Sequence, residues 1–292
     1  TYSSKTITLT DTAGNASSLT LSTFTVDTTA PTLSSVAIAS TNSTTSLVKH
    51  GQDVVLTFTA SETIGTPTVT FFSGGDSIDD GTISYVNTTG NTWTATYDVR
   101  YADTEGAVTF SISFSDSASN AGTAVTAVTN GSTGTFDRTP PTITQVTAVP
   151  TPSNDTTPSY VYTTNEAGTI TSSLAFSTTT SASTGSNQTI TFNTLSAGVY
   201  SGETLTITDP TGNARTKTIP DFTIETTAPT GAITYSSASP YKQGATATVT
   251  ATFTEALTTT PKIAISGVST VAATNMSGSG TTWTYAYTAP AG

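Results

Sequence analysis

The chain has 292 residues, of which only 9% are charged, with 19 acidic against 8 basic side chains and a net charge of −11. That balance leaves no basic footprint for nucleic acid, the absence of cysteine excludes disulfides and thiolate metal sites, and no apolar run approaches the roughly 20 residues of a membrane span. Charged residues make up about a quarter of an ordinary globular domain, so strong surface helix formers are scarce here, while Ser, Thr, Val, Ile, Tyr and Phe favour a pleated backbone.

Taken in chain order, the elements are organised by an internal repeat. The stretch from Tyr2, YSSKTITLTDTAGNASSLTLSTFTVDTTAPT, recurs from Tyr200 as YSGETLTITDPTGNARTKTIPDFTIETTAPT, with Asp11 falling on Asp209 and Pro31 on Pro229. Residues 1–28 therefore read as the C-terminal part of a short-type module. Residues 29–138 carry seven β-rich runs between turn signals (LSSVAIAS, VVLTFTAS, TVTFFS, TISYVN, TWTATYDV, AVTFSISFSD and TAVTAVT) and form one complete long-type module. Residues 139–226 (ITQVTAV, SYVYTT, ITSSLAFS, QTITFNTL, ETLTITD, TKTIPDFTIE) form a complete short-type module. Residues 227–292 are the N-terminal part of a second long-type module, because KHGQDVVLTFTASETIGTP from Lys49 returns from Lys242 and the run around Trp93 is answered around Trp283. The sequence is thus a window on a longer array, and its two open ends are of different module types, unsuited to completing one another.

Seven short strands per module predict an all-β chain of tandem immunoglobulin-like Greek-key β-sandwiches, strung like beads. Trp93 and Trp283 are expected in the sandwich cores rather than as stacking platforms for sugar. His50, the only histidine, lies in the turn VKHGQD. With no cysteine either, the inventory gives no Cys-His pair and no multi-histidine zinc site, so an enzyme is not expected.

The punctuation D-x-x-G-N (Asp11, Gly14, Asn15; Asp209, Gly212, Asn213), followed by V-D-T-T-A-P-T and I-E-T-T-A-P-T, resembles the bacterial Ig-like tandem repeats of giant surface adhesins. SDSASN departs from the motif by placing Ser119 where Gly would stand, and DRTPPT from Asp137 is a variant of the linker. The resemblance implies an extracellular, cell-surface or secreted stalk or adhesive fibre, in many cases stiffened by calcium.

In a seven-strand sandwich the loops after the second and sixth strands return to the preceding linker. This predicts acid clusters of Asp27, Glu62 and Asp116 at the first joint and of Asp137, Glu166 and Asp209 at the second. Glu225 and Glu255 begin a third, and Asp103 and Glu105, in the loop YADTEG, are expected to join Asp137 from the opposite pole. Such clusters need separation or a cation, and calcium, which takes 6 to 8 oxygens, is the natural candidate. The plainer reading is that these acids cap turns or lie on a solvated rim. The loop GGDSIDDG (Asp76, Asp79, Asp80) reads as a polar hairpin or a further cation site.

The function that follows is structural: a rigid, calcium-stiffened spacer in the stalk of an adhesin, each module roughly 35–40 Å long from strands of about eight residues at about 3.3 Å plus loops. Its partners are the neighbouring modules of the same chain. The alternative is a self-assembling coat, sheath or filament subunit whose faces contact copies of itself.

Overall fold

The computed structural model describes residues 1–78, 82–178, 180–267 and 269–290. Every regular element among them is a strand. Contacts divide the chain into two compact units, Thr1–Thr151 with Thr156–Phe222, and Pro152–Asp155 with Thr223–Gly292.

In the first unit, residues 29–138 form two facing sheets. One has the strands in the order Leu33–Ser40, Asp53–Ala60, Thr92–Asp98, Ser84–Thr89. The other has Leu47–Val48, Thr135–Phe136, Gly106–Ser113, Thr68–Ser73, Asp76–Ser77. Strands one, two, five and four make the first sheet and strands three, six and the last make the second, which is the constant-type immunoglobulin arrangement. The alternation that predicted the strands also sets their faces: in Asp53–Ala60 every second side chain, Val54, Leu56, Phe58 and Ala60, is buried. Phe71, Tyr97, Phe110, Ile112 and Phe136 meet them in one core.

Trp93 belongs to that core, with its strand register placing it opposite Phe58. Its indole Nε1 is buried without a hydrogen-bond partner, which weighs against an exposed sugar platform. The run TAVTAVT does not become a full strand. It crosses between the sheets, with Val125 exchanging backbone bonds with Ile112, and Thr129 donating its N–H to the Val36 carbonyl while its Oγ1 accepts from Val36 N–H. The last strand forms later, at Thr135–Phe136, where it pairs in parallel with Leu47–Val48.

The same unit holds a shorter sandwich. One sheet contains Ile143–Thr147, Ser159–Thr164 and Gln188–Thr191; the other contains Ser181–Ala182, Gly168–Ser172, Thr204–Thr208 and Ala214–Thr218. Tyr160, Tyr162, Ile190, Phe192, Leu205 and Ile207 are fully buried. The run TKTIPDFTIE divides into Ala214–Thr218 and Phe222–Ile224, because Pro220 between them has no N–H to donate. Residues 1–28 contribute a hairpin, Thr6–Thr10 with Ala16–Thr20, that stands as a two-stranded sheet.

The second unit carries a sheet in the order Gly231–Tyr235, Thr246–Phe253, Thr282–Thr288, Ser277–Ser279, and a hairpin of Lys262–Ile265 with Val271–Asn275. Ala251, Met276 and Trp283 form its core with Phe253, Leu257 and Ile263. Trp283 is thus placed as Trp93 is, and it donates to the Gly280 carbonyl at 3.1 Å.

If Trp93 is a core residue, Trp93→Ala costs about 3–5 kcal/mol. Denaturant titration followed by circular dichroism checks this; a loss below about 0.5 kcal/mol would place the indole at the surface.

Candidate functional site

The site is built from one local motif used twice. At the end of the strand Gly106–Ser113 the chain turns at Asp116, whose Oδ1 accepts from the backbone N–H of Ala118 (2.9 Å) and Asn120 (2.8 Å). Its Oδ2 accepts from Asn120 Nδ2 at 2.8 Å. These donors, the Asn120 amide first, hold the Asp116 carboxyl below its ordinary range. Asn120 Nδ2 also donates to the Asp27 carbonyl at 3.1 Å, so the turn grips the linker.

The second copy keeps both asparagine contacts and takes its other donor one residue later in the turn. Asp209 Oδ1 accepts from Gly212 N–H (2.7 Å) and Asn213 N–H (2.9 Å), and Asn213 Nδ2 bridges Asp209 Oδ2 (3.0 Å) and the Asp137 carbonyl (3.1 Å). The turn demands a left-handed residue, supplied by Gly212 at φ +95° and, in the departing copy, by Ser119 at φ +70°. A side chain in that region is strained.

Because the turn holds the linker, the linker acid stands beside the turn acid. One carboxylate oxygen from each of Asp27, Glu62 and Asp116 lies within 4.8 Å of the other two, and the same holds for Asp137, Glu166 and Asp209. Among the described residues these are the two groups of this kind. Asp116 and Asp209 are buried, Asp27 is exposed, and Glu62, Asp137 and Glu166 are half-buried. Like charges at such a distance repel by about 3 kcal/mol per pair at an effective dielectric near 20. Glu166 registers this: burial first, then the carboxylates of Asp137 and Asp209, push its carboxyl above the usual glutamate value.

The second joint has further ties. Asn42, itself buried, donates through Nδ2 to the Thr211 carbonyl at 2.8 Å, Lys49 Nζ reaches the Gly212 carbonyl at 2.9 Å, and Thr211 Oγ1 reaches Asp137 Oδ2 at 3.3 Å. The turn of the short sandwich is therefore bonded directly to the long one.

Asp103 is not in the cluster. Its buried carboxylate accepts from the Tyr97 hydroxyl at 2.8 Å and from Arg100 N–H at 2.8 Å, which turns it into the sandwich. Glu105 lies nearer: its Oε1 accepts from Arg138 N–H (2.8 Å) and Thr139 Oγ1 (2.7 Å), and it adds to the field on Glu166. The Thr139 hydroxyl is the main reason that the Glu105 carboxyl lies below its ordinary range. Arg138 ties the same loop down through Nη1, which donates to the carbonyls of Asp103 (2.7 Å) and Tyr101. In the second unit the Glu225 carboxylate accepts from Thr227 N–H and Glu255 is half-buried. Asp79 and Asp80 lie outside the described residues, while Asp76 accepts from Thr104 Oγ1 at 2.7 Å.

Sequence reasoning missed Asn42, Lys49 and Arg138. Arg138 had a signal, since it is one of only 8 basic residues and stands in a linker where Thr28 and Thr226 occupy the other copies. His50 is exposed, with its ring edge on Tyr101.

Residues 1–130 match the family model for bacterial Ig-like domain (group 3), which bears out over that stretch the resemblance to bacterial Ig-like repeats. No curated protein matches the sequence. Among solved structures, an I-band fragment from titin is similar at 11% identity over 88% of each chain, with a TM-score of 0.41. A tetra-tandem repeat in the extending region of a large adhesion protein is similar at 18% identity, over 97% of this chain and 71% of that one, with a TM-score of 0.27.

Two predictions follow from the geometry. Ser119→Gly relieves the left-handed strain and raises stability by up to about 1 kcal/mol once the added freedom of the unfolded chain is subtracted; thermal unfolding measures it, and destabilisation would refute it. For Glu166, a raised folded pKa means that the native state binds the extra proton, so stability falls as pH rises through that window. In chelator near pH 7, Glu166→Gln therefore melts at or above the parent temperature and flattens the dependence through that window; a clear loss of stability would show that the carboxylate is instead favourably held.

Proposed function

We propose that this chain is a rigid spacer segment of a long secreted surface protein, the stalk of an adhesin or adhesive fibre at the cell exterior, with calcium completing its joints. A structural repeat role is supported by the tandem β-sandwiches and by the family match over residues 1–130. The observation that carries the finer reading is the second joint, where Asn42, Lys49 and Asn213 bond the short sandwich to the long one beside three carboxylates within 4.8 Å.

The donor set suits calcium. Three carboxylates offer hard oxygens with lone pairs to spare, since each oxygen of Asp137 and Asp209 accepts only one or two hydrogen bonds. A hard dication that tolerates irregular geometry fits a partly buried, all-oxygen site better than zinc does. Asp137, Glu166 and Asp209 would hold one ion, with Glu105 beside them, and Asp27, Glu62 and Asp116 would hold another. An ion there offsets the repulsion that raises the Glu166 carboxyl and links a loop, a turn and a linker through one centre. The proline-containing linkers restrict bending even without it.

Calorimetric titration of calcium into the chain tests this. Saturable binding is expected with a Kd on the order of 10⁻⁴ to 10⁻³ M, with half of the stoichiometry lost in Asp137→Asn and the other half in Asp27→Asn. Absence of heat and of a thermal shift at millimolar calcium would overturn the metal assignment and leave the direct hydrogen bonds as the source of stiffness.

A further inference from the structure

The sandwich of residues 29–138 keeps its charge at its two ends. In its strands Leu33–Ser40, Asp53–Ala60, Thr68–Ser73, Ser84–Thr89, Thr92–Asp98 and Gly106–Ser113 the only charged side chains are Asp53 and Asp98, opposite each other at strand ends. The flank between carries none. One strand of that flank is a free edge: Ser84–Thr89 comes last in the order of its sheet, and no strand of the described residues lies on its outer side.

Sheet edges are commonly guarded by charge, proline, bulges or cover. The other edge of the same sheet is covered, since Val36 and Ile38 N–H donate to Thr129 Oγ1 and Ser132 Oγ, each at 2.9 Å. In the shorter sandwich the edge Ala214–Thr218 carries Arg215 and Lys217, and the edge Ile143–Thr147 is broken by a bulge between Gln145 and Thr147. Ser84–Thr89 has neither charge nor proline, and its bulge falls at its far end, between Asn87 and Thr89. The strand is nevertheless fixed, because the Tyr85 hydroxyl accepts from Val69 N–H of the facing sheet at 2.9 Å.

Hydrogen-bond parity identifies the unpaired groups. Ala60 N–H bonds the Asn91 carbonyl and Val99 N–H the Gln52 carbonyl, so the odd-numbered residues of Thr92–Asp98 face Asp53–Ala60 and the even-numbered ones face Ser84–Thr89. Thr94 and Thr96 stand opposite Val86 and Ser84, which leaves the N–H and C=O of Tyr85 and Asn87 directed out of the sheet. Val86, between them, is 53% exposed.

We propose that this edge is a self-association site, at which Ser84–Thr89 pairs antiparallel with the same strand of a second copy about a two-fold axis at Val86. In that register Tyr85 of each copy meets Asn87 of the other, every outward group is bonded, and the two Val86 side chains lie side by side. Charge selects a second copy as the occupant. Its flank is equally free of charge, so the acids behind the net −11 stay out of the contact. Antiparallel pairing also sets the end that holds Lys49, Arg100 and Arg138 beside the acid-only end of Asp27, Glu62 and Asp116, whereas parallel pairing sets those acids on their own kind. So short an edge buries less than the roughly 800 Å² per partner of a stable interface, which makes a single pairing weak and transient. The inference depends neither on calcium nor on the stalk reading.

Cross-linking captures such a contact, and because the chain has no cysteine, a single introduced one reports only on its own position. The full chain carrying Val86→Cys is treated with diamide and covalent dimer is followed by non-reducing electrophoresis. Dimer is expected at least tenfold faster than from Thr94→Cys, one strand inward on the same face, or from Thr109→Cys, exposed on the other sheet. Adding Asn87→Pro to Val86→Cys removes an outward donor while leaving the bonds to Thr94 in place; the rate is expected to fall to that of the two controls, with thermal unfolding showing that the sandwich still folds. Equal rates at the three positions, as an edge reserved for a different partner would give, would overturn the proposal. So would fast dimerisation that survives Asn87→Pro, and so would faster cross-linking through Thr94→Cys, which would assign the contact to stacked faces.

Discussion

The structure turns on one amide group per joint. Asn120 and Asn213 each hold a turn aspartate with the same Nδ2 that reaches the linker carbonyl, of Asp27 and of Asp137. A linker of a few residues has many conformers, and ordering each residue costs about 1–2 kcal/mol. A side chain already immobilised by its own turn binds the linker without that ordering cost being incurred twice. The leading copy shows that the turn is autonomous: Asn15 Nδ2 is held by Asp11 Oδ2 at 2.8 Å in a hairpin with an uncovered face.

This grip has an electrostatic consequence. Fixing the linker backbone by its carbonyl also fixes the acid that carries it, so Asp27 and Asp137 are brought up to two further carboxylates whether or not this is favourable. At the first joint the local donors hold the Asp116 carboxyl below its ordinary range, and at the second, burial and then the carboxylates of Asp137 and Asp209 push the Glu166 carboxyl up.

How much of this was legible depends on whether the determinant is periodic. The strands, their faces and the two tryptophan positions follow from alternation, as in DVVLTFTA, and topology then brought the loops of Glu62, Asp116, Glu166 and Asp209 to the linker acids Asp27 and Asp137, because a strand's direction fixes which end its loop leaves from. Asp103 went the other way because its fate depends on a tertiary partner, the Tyr97 hydroxyl, six residues back on a neighbouring strand. The run TAVTAVT has the alternation of a strand, yet Val36 and Ile112 on opposite sheets both claim its backbone. Asn42 and Lys49 carry no pattern at all: each contacts a residue more than 160 positions away.

The second joint then separates two sources of stiffness that differ in their response to conditions. The bonds from Asn42 and Lys49 end on backbone carbonyls and involve no cation site, so neither is lost to chelator. The carboxylate triad is a liability alone and an asset with a cation. If calcium binds there as proposed, a joint built from both would retain its docking without the ion and tighten with it, because the ion would act on Glu166 and its neighbours while the amide contacts are already made.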